Sequence, residues 1–355
     1  MSAAVQHFSR HSIDGVRVQV IADAADGLDC IIACEEAVIA NFRRHVDPFH
    51  KWLNLFVFED LHPLIDQISE NAVLPLAEAE ALAQRPMVHI YNLSDLTEST
   101  IFINRGVMVR QSLWADRLAI CGLLAHEHAH PLAENATTRS VRDLRFDTAI
   151  HETDGANVAP FVHALARELC LHAPQEVFSN ELAIRIGFGH SMMHLNRLII
   201  DDAGRPVAGR KELVRQLDAA RKTGRLNSRE ASLMLLLASV QAYGRFALET
   251  AAFTRAGHEM CAHALELALQ DSVFRRLEPE LEPLYRGLHE RYLELTPDMS
   301  ARSLRNWAEV TFAPLLAEID RARLAARIHF RIADDEAQAT YESVRSMRPT
   351  EEVVS

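Results

Sequence analysis

Residues 16–23 read VRVQVIAD, with Val16, Val18 and Val20 apolar and Arg17 and Gln19 polar, the period of two that marks a half-buried strand. The period then lengthens: LDCIIACEEAVIANFRRHV spaces its apolar residues as a helix does. WLNLFVFED is short and apolar and fits either element. MVHIYNL (Met87 to Leu93, after Pro86) is predicted as a strand. STIFINRGVMV (Ser99 to Val109) is predicted as another, with Gly106 marking a bulge or an edge position. From Ser112 onward helical spacing dominates. Ser112 is the predicted N-cap of a helix through LAICGLLA. The polar run ENATTRSVRDLRFDTAIHETDGANVAP reads as a long loop or an excursion, and helices resume at FVHALARELCL and PQEVFSNELAIRIGF. After a turn at Asp201 to Gly209, amphipathic helices run through ELVRQLDAARK, SREASLMLLLASVQAYGRFALETAAF, EMCAHALELALQ, EPLYRGLHERYLEL and AEVTFAPLLAEIDRARLAARIHF. The expected fold is α+β, a small mixed sheet with one prominent buried helix followed by a mostly helical C-terminal half. The expected division is a catalytic domain at residues 1–200, a helical domain at 201–340 and a solvated tail at 341–355.

Composition narrows the partners. The net charge is −12, and no Lys/Arg run interleaved with aromatics is present, which argues against nucleic acid, whose phosphates most of this surface would repel. The N-terminus lacks the apolar core of a signal peptide. The longest apolar run, LMLLLASV, is far shorter than the roughly 18 residues of a membrane span. Five cysteines without a CxxC pair suit free thiols in a reducing compartment. A soluble, cytoplasmic chain without a membrane or nucleic-acid partner is expected.

The chemistry concentrates in LLAHEHAHPLAEN, Leu123 to Asn135. His126 and His130 are four apart, so on a helix both imidazoles can aim at one ion. Glu127 sits beside that ion rather than on it, where it can deprotonate a metal-held water. The preceding apolar residues place this turn inside the protein, where a histidine-dense, charged end is costly unless a cation compensates it. His128 lies off that face.

The run TIFINRGVMVRQSLWADRLAICGLLAHEHAH resembles the strand, linker and active-site helix of zincin metallopeptidases, particularly the small gluzincins. The resemblance covers about a hundred residues and leaves the C-terminal helices aside. It implies zinc on His126 and His130 with Glu127 as general base. It also casts TIFINRGVMV as an edge strand that pairs with extended substrate.

A catalytic zinc takes a third protein ligand and keeps an open position. Glu134 lies roughly 12 Å along the axis from His126 on an unbent helix, too far to join. PQEVFSNELAIRIGFGH offers Glu176 and Glu181. Glu176 follows Pro174 in a first turn, where the helix dipole already explains an acid. Glu181 shares a stripe with Val177, Phe178, Ile184 and Phe188, which points it toward the core, where a carboxylate needs a partner. The gluzincin pattern likewise has a downstream glutamate often preceded by Asn, as Asn180 precedes Glu181, so Glu181 is preferred. Those proteins carry an acid four positions after the ligand; counted from Glu181 that position is Arg185, and Asp147 or Asp154 becomes the alternative support. His194 is the candidate donor to the tetrahedral oxyanion.

The expected function is therefore a zinc hydrolase with one Zn2+ per chain, a metallopeptidase acting on peptide or protein substrates. Two alternatives compete. Glu127 and His130 also form an E-x-x-H, the unit of helical di-iron oxidases, although ELCLH and EMCAH each miss that spacing by one residue. A non-catalytic, zinc-stabilised interaction protein would need a fourth ligand such as His128 closing the site.

Overall fold

The computed structural model describes residues 5–333 apart from 47–48, 73–75, 93–94, 151–157, 202–203 and 325. Asp154 and the tail lie outside the described residues. The chain is α+β, with a five-stranded sheet near the N-terminus and a mostly helical remainder. The residues group into two compact units, one of Met1–Ala133, Glu176–Val207 and Glu249–Arg276, the other of Glu134–Gln175, Ala208–Leu248 and Leu277–Ser355. The chain thus passes between units several times instead of dividing once near residue 200.

The first unit opens with a hairpin, β1 (His7–Ile13) and β2 (Val16–Ala22). Its turn is Asp14-Gly15, both with positive φ, 44° and 81°, as a two-residue hairpin whose twist matches its strands requires. Helix α1 (Leu28–His45) leads to β3 (Trp52–Phe58), so the ambiguous apolar run is a strand. Helices α2 (Ile65–Ala72) and α3 (Leu76–Ala83) precede β4 (Met87–Asn92) and β5 (Asp95–Asn104). The sheet order is β1-β2-β3-β5-β4; β2, β3 and β5 run parallel, while β1 and β4 are antiparallel to their neighbours. One face packs Phe58, Val88 and Phe102 against Leu61, Ile65 and Ile68. The alternate positions Val18, Val20, Leu53, Leu55 and Ile101 are buried as well.

Two expectations about β5 change. It has neighbours on both sides, so the edge strand is β4. The backbone then turns into a short helix, α4 (Arg105–Arg110), and Gly106 serves close approach, not a bulge: a Cβ there would lie 2.4 Å from the Glu59 carbonyl. Ser112 adopts positive φ, 59°, and the cap of α5 (Arg117–Leu132) is instead Asp116, whose carboxylate accepts from the Ala119 amide at 3.0 Å.

The polar run expected as loop contains α6 (Ala136–Val141) and β6 (Leu144–Ile150). From α7 (Ala159–Ala166) the chain stays helical through a π segment at Arg167–His172, α8 (Ala173–Ala183), a second π segment at Ile184–Phe188 and α9 (Gly189–Asp201). Gly187, at φ 111°, breaks the helix before α9. Helix α10 (Gly204–Lys222) begins inside the expected turn. Helices α11 (Ser228–Tyr243), α12 (Phe246–Arg255), α13 (Glu259–Leu269), α14 (Leu281–Leu293) and α15 (Ala301–Arg321) follow.

Ser228–Arg255 is long and apolar enough, by length and composition, to cross a membrane; 61% of its most apolar window is buried in the protein's own packing, as a core helix would also be. In the second unit, ARIHFRI at the end of the last expected helix is strand β7 (Ala326–Ile332), paired antiparallel with β6.

Candidate metal centre

Helix α5 is fastened at both ends. At its start, Asp116 also meets His194 Nε2 at 2.7 Å. Near its end, Pro131 has no N–H, so the Glu127 carbonyl four residues earlier loses its helical donor. His89 Nδ1, from the edge strand β4, donates to that carbonyl at 2.7 Å. One bond thus satisfies the orphan carbonyl and ties β4 to the turn carrying the histidines. On the rear of α5, His128 and Glu35 of α1 are both fully buried and meet at 2.6 Å. The rings of His50 and His89 pack beside His128, with centroids 5.5 and 5.6 Å from it.

His126 and His130 face the other way and remain partly accessible. Their Nε2 atoms are 3.0 Å apart. Glu176 of α8 reaches them with Oε2 3.3 Å from His126 Nε2 and Oε1 3.8 Å from His130 Nε2. One ligand atom from each of the three residues lies within 4.8 Å of the others. Two imidazole nitrogens bound at about 2.0–2.1 Å to a tetrahedral ion stand roughly 3.3 Å apart, so this separation is close to what a shared ion needs.

The outer nitrogens are engaged by a second layer. His126 Nδ1 donates to Asn180 Oδ1 at 2.6 Å. The Asn180 amide is oriented in turn, because its Nδ2 donates to Glu249 Oε2 at 3.0 Å and that oxygen also accepts from Asn196 Nδ2 at 3.2 Å. Ser179 Oγ lies 3.2 Å from His130 Nδ1. With its Nδ1 proton committed, His126 presents Nε2 as a lone pair once neutral, the arrangement that metal-ligating histidines use. The donor set therefore fits a divalent ion.

The charges say the same. Burial disfavours the imidazolium of His126, yet the Glu176 carboxylate outweighs it and pushes this group up to about 10. Glu176 is held well below the usual carboxylate range, because the two histidines overcome the burial that would raise it. Burial, helped by the neighbouring His126, lowers His130. Two nitrogens and a carboxylate thus draw one positive charge into the gap, and without a metal a proton supplies it.

The carboxylate brought to the histidines is Glu176. Glu181, preferred from the sequence, accepts from Arg185 Nε at 2.9 Å and from Arg255 Nε at 2.7 Å. Five residues at 100° each turn it about 140° around the helix from Glu176, so one helix cannot offer both to the same ion. Its apolar stripe did signal a need for a partner, and arginine supplies it. His194, the expected oxyanion donor, is bonded at the N-cap of α5, ten residues or roughly 15 Å along the axis from His126. Asp147 pairs with Arg331 at 2.9 Å, and the support of His126 comes from Asn180. Glu127 is half-buried, and its carboxylate makes no hydrogen bond among the described residues.

Ser179, Glu249 and His89 were missed. The first had a signal: Glu176, Ser179 and Asn180 form an i, i+3, i+4 polar stripe, and Ser179 and Asn180 are fully buried. Glu249 and His89 come from distant segments and had none. No family model matches the chain, and neither the curated proteins nor the solved structures give a match.

Proposed function

We propose that this chain is a zinc-dependent hydrolase that cleaves peptide bonds, with His126, His130 and Glu176 holding one Zn2+ per chain and Glu127 as general base. The observation that carries this reading is the convergence of two Nε2 atoms and a carboxylate within 4.8 Å, with both Nδ1 atoms facing polar partners of α8. Two imidazoles and one carboxylate are a donor set of catalytic zinc, which leaves the fourth position open. A zinc ion there supplies a Lewis acid and makes a water it holds acidic enough to deprotonate near neutral pH.

The chain's own residues do the rest. Glu127 follows His126 on the same partly accessible turn, and its carboxylate, without a hydrogen bond among the described residues, can take a proton from water and pass it to the leaving amine. Asn180 and Ser179 hold the imidazoles in their ligating orientation, and Glu249 holds Asn180. His128 is committed to Glu35, so it does not close the fourth position as a purely structural site would require. The di-iron alternative needs further carboxylates, and among the described residues the one metal-capable group is this triad.

The exchange of ligands alters the gluzincin comparison: Gln175 precedes Glu176 where the pattern often has Asn. Counted from Glu176, the position four residues on is Asn180, and it bonds the first histidine, where the pattern carries an acid. The strand beside the site is β4, antiparallel and at the sheet edge, a position that suits an extended peptide adding to the sheet.

The test is hydrolysis of a quenched-fluorescence peptide library by zinc-loaded wild type and Glu127→Gln. The expected result is cleavage by wild type, at least a hundredfold loss in the variant and unchanged zinc content. Equal turnover by both proteins would falsify the mechanism, and no cleavage by the zinc-loaded wild type would remove the peptidase reading.

A further inference from the structure

Arg85 is an exposed cation two residues before β4, the edge strand that His89 ties to the turn carrying the histidines. It stands in the turn between α3 and β4, and that turn is held from one side: buried Asn104 donates its Nδ2 to the Ala83 carbonyl at 2.7 Å, and its backbone N–H to the Pro86 carbonyl at 2.9 Å. The Arg85 amide is itself bonded to the Leu82 carbonyl at 2.9 Å. The backbone is thus fixed while the side chain is exposed, and the guanidinium makes no ion pair or hydrogen bond among the described residues. A guanidinium without a partner, carried on a backbone held in place, is suited to a planar carboxylate, which it can grip with two parallel hydrogen bonds.

Strand direction says which carboxylate. β4 begins two residues after Arg85, forms the sheet edge and reaches α5 through His89. An antiparallel ladder is the more stable way for a peptide to pair with that edge. A peptide so paired runs opposite to β4, so its C-terminus comes to the Arg85 end. From Arg85 to His89 is four residues, or about 13 Å of strand, which limits the peptide to roughly four residues beyond the level of Glu127.

We infer that Arg85 and the edge of β4 form a subsite for the free C-terminal carboxylate of a peptide, so that the enzyme trims chain ends or short peptides within about four residues of the C-terminus. The inference rests on the peptidase reading for its chemistry, while the subsite itself can be tested by binding alone.

The test uses full-length Glu127→Gln protein loaded with zinc and an N-terminally fluorescein-labelled alanine-rich hexapeptide, read by anisotropy. The peptide is made as the free acid, as the amide, and as an amide whose last residue is glutamate. The free acid is expected to bind at least tenfold more tightly than either amide. Arg85→Gln should bring it down to the amide's affinity, and Arg85→Lys should restore part of the preference. Acid and amide binding equally, no detectable binding of the acid, or a preference that survives Arg85→Gln overturns the subsite. A glutamyl amide matching the free acid overturns the C-terminal assignment in favour of a side-chain carboxylate. Hydrolysis by wild type fails independently: acid-selective binding without cleavage keeps the subsite and removes the peptidase reading, and cleavage indifferent to the C-terminus does the reverse.

Discussion

Replacing Glu176 and Glu181 separately by glutamine should divide metal binding from stability. Glutamine keeps the size of each side chain and removes its charge. At position 176 the charge lost faces two imidazole nitrogens 3.3 and 3.8 Å away, and the neutral amide is a poor zinc ligand. Stoichiometric zinc should fall below about a tenth per chain after dialysis, since ligating carboxylates act in their ionised form.

At position 181 the lost partners are arginines. The Arg185 pair is largely solvated, with that side chain 56% exposed, and contributes no more than about 1 kcal/mol. Arg255 and Glu181 are each 14% exposed, and stripping one partner from a buried pair costs about 3–5 kcal/mol. Glutamine retains an acceptor oxygen for Arg255, so a loss of about 2–3 kcal/mol is expected. For a chain of this size that is a fall in Tm of roughly 3–4 °C, with zinc retained. The assays are metal content by inductively coupled plasma mass spectrometry and thermal unfolding of the metal-free proteins. Zinc retained in Glu176→Gln and lost in Glu181→Gln would refute the assignment.

Three further outcomes follow from the same geometry. Asn180→Ala removes the acceptor of the His126 Nδ1 proton and should weaken zinc binding about 10–100-fold with Glu127 untouched; a competition titration giving the wild-type affinity counts against the second layer. Zinc binding should strengthen with pH, because the proton that His126 holds up to about 10 must leave when the ion enters, while Glu176 is already ionised. The apparent affinity should rise about tenfold per pH unit between 7 and 9, and a flat profile over that range would mean that His126 carries no such proton. Gly106→Ala drives a Cβ to within 2.4 Å of the Glu59 carbonyl and should cost about 1–3 kcal/mol, read as a lower urea midpoint; an unchanged midpoint would show that the backbone relaxes freely there.

Much of this was legible one segment at a time. The valines of β2, the helical spacing of α1 and the buried approach to His126 are local patterns, and local geometry alone puts residues four apart on one helical face. That singled out the paired histidines and the candidate general base. The Asp14-Gly15 turn was equally local and marked the hairpin that sequence reading passed over.

What no local pattern decided is which groups meet across distance. Glu176 and Glu181 sit on the same helix about 140° apart, and either could face the histidines until packing sets the helix's rotation. That rotation depends on α5, on the Arg255 that neutralises Glu181, and on the Glu249 that orients Asn180. β5 became an interior strand only because β4 pairs outside it, and ARIHFRI became a strand because β6 offers it a partner. Sequence alone put His126 and His130 on one helical face; tertiary structure decided that Glu176 and not Glu181 meets them, because a buried charge is settled by whichever partner the folded chain brings to it.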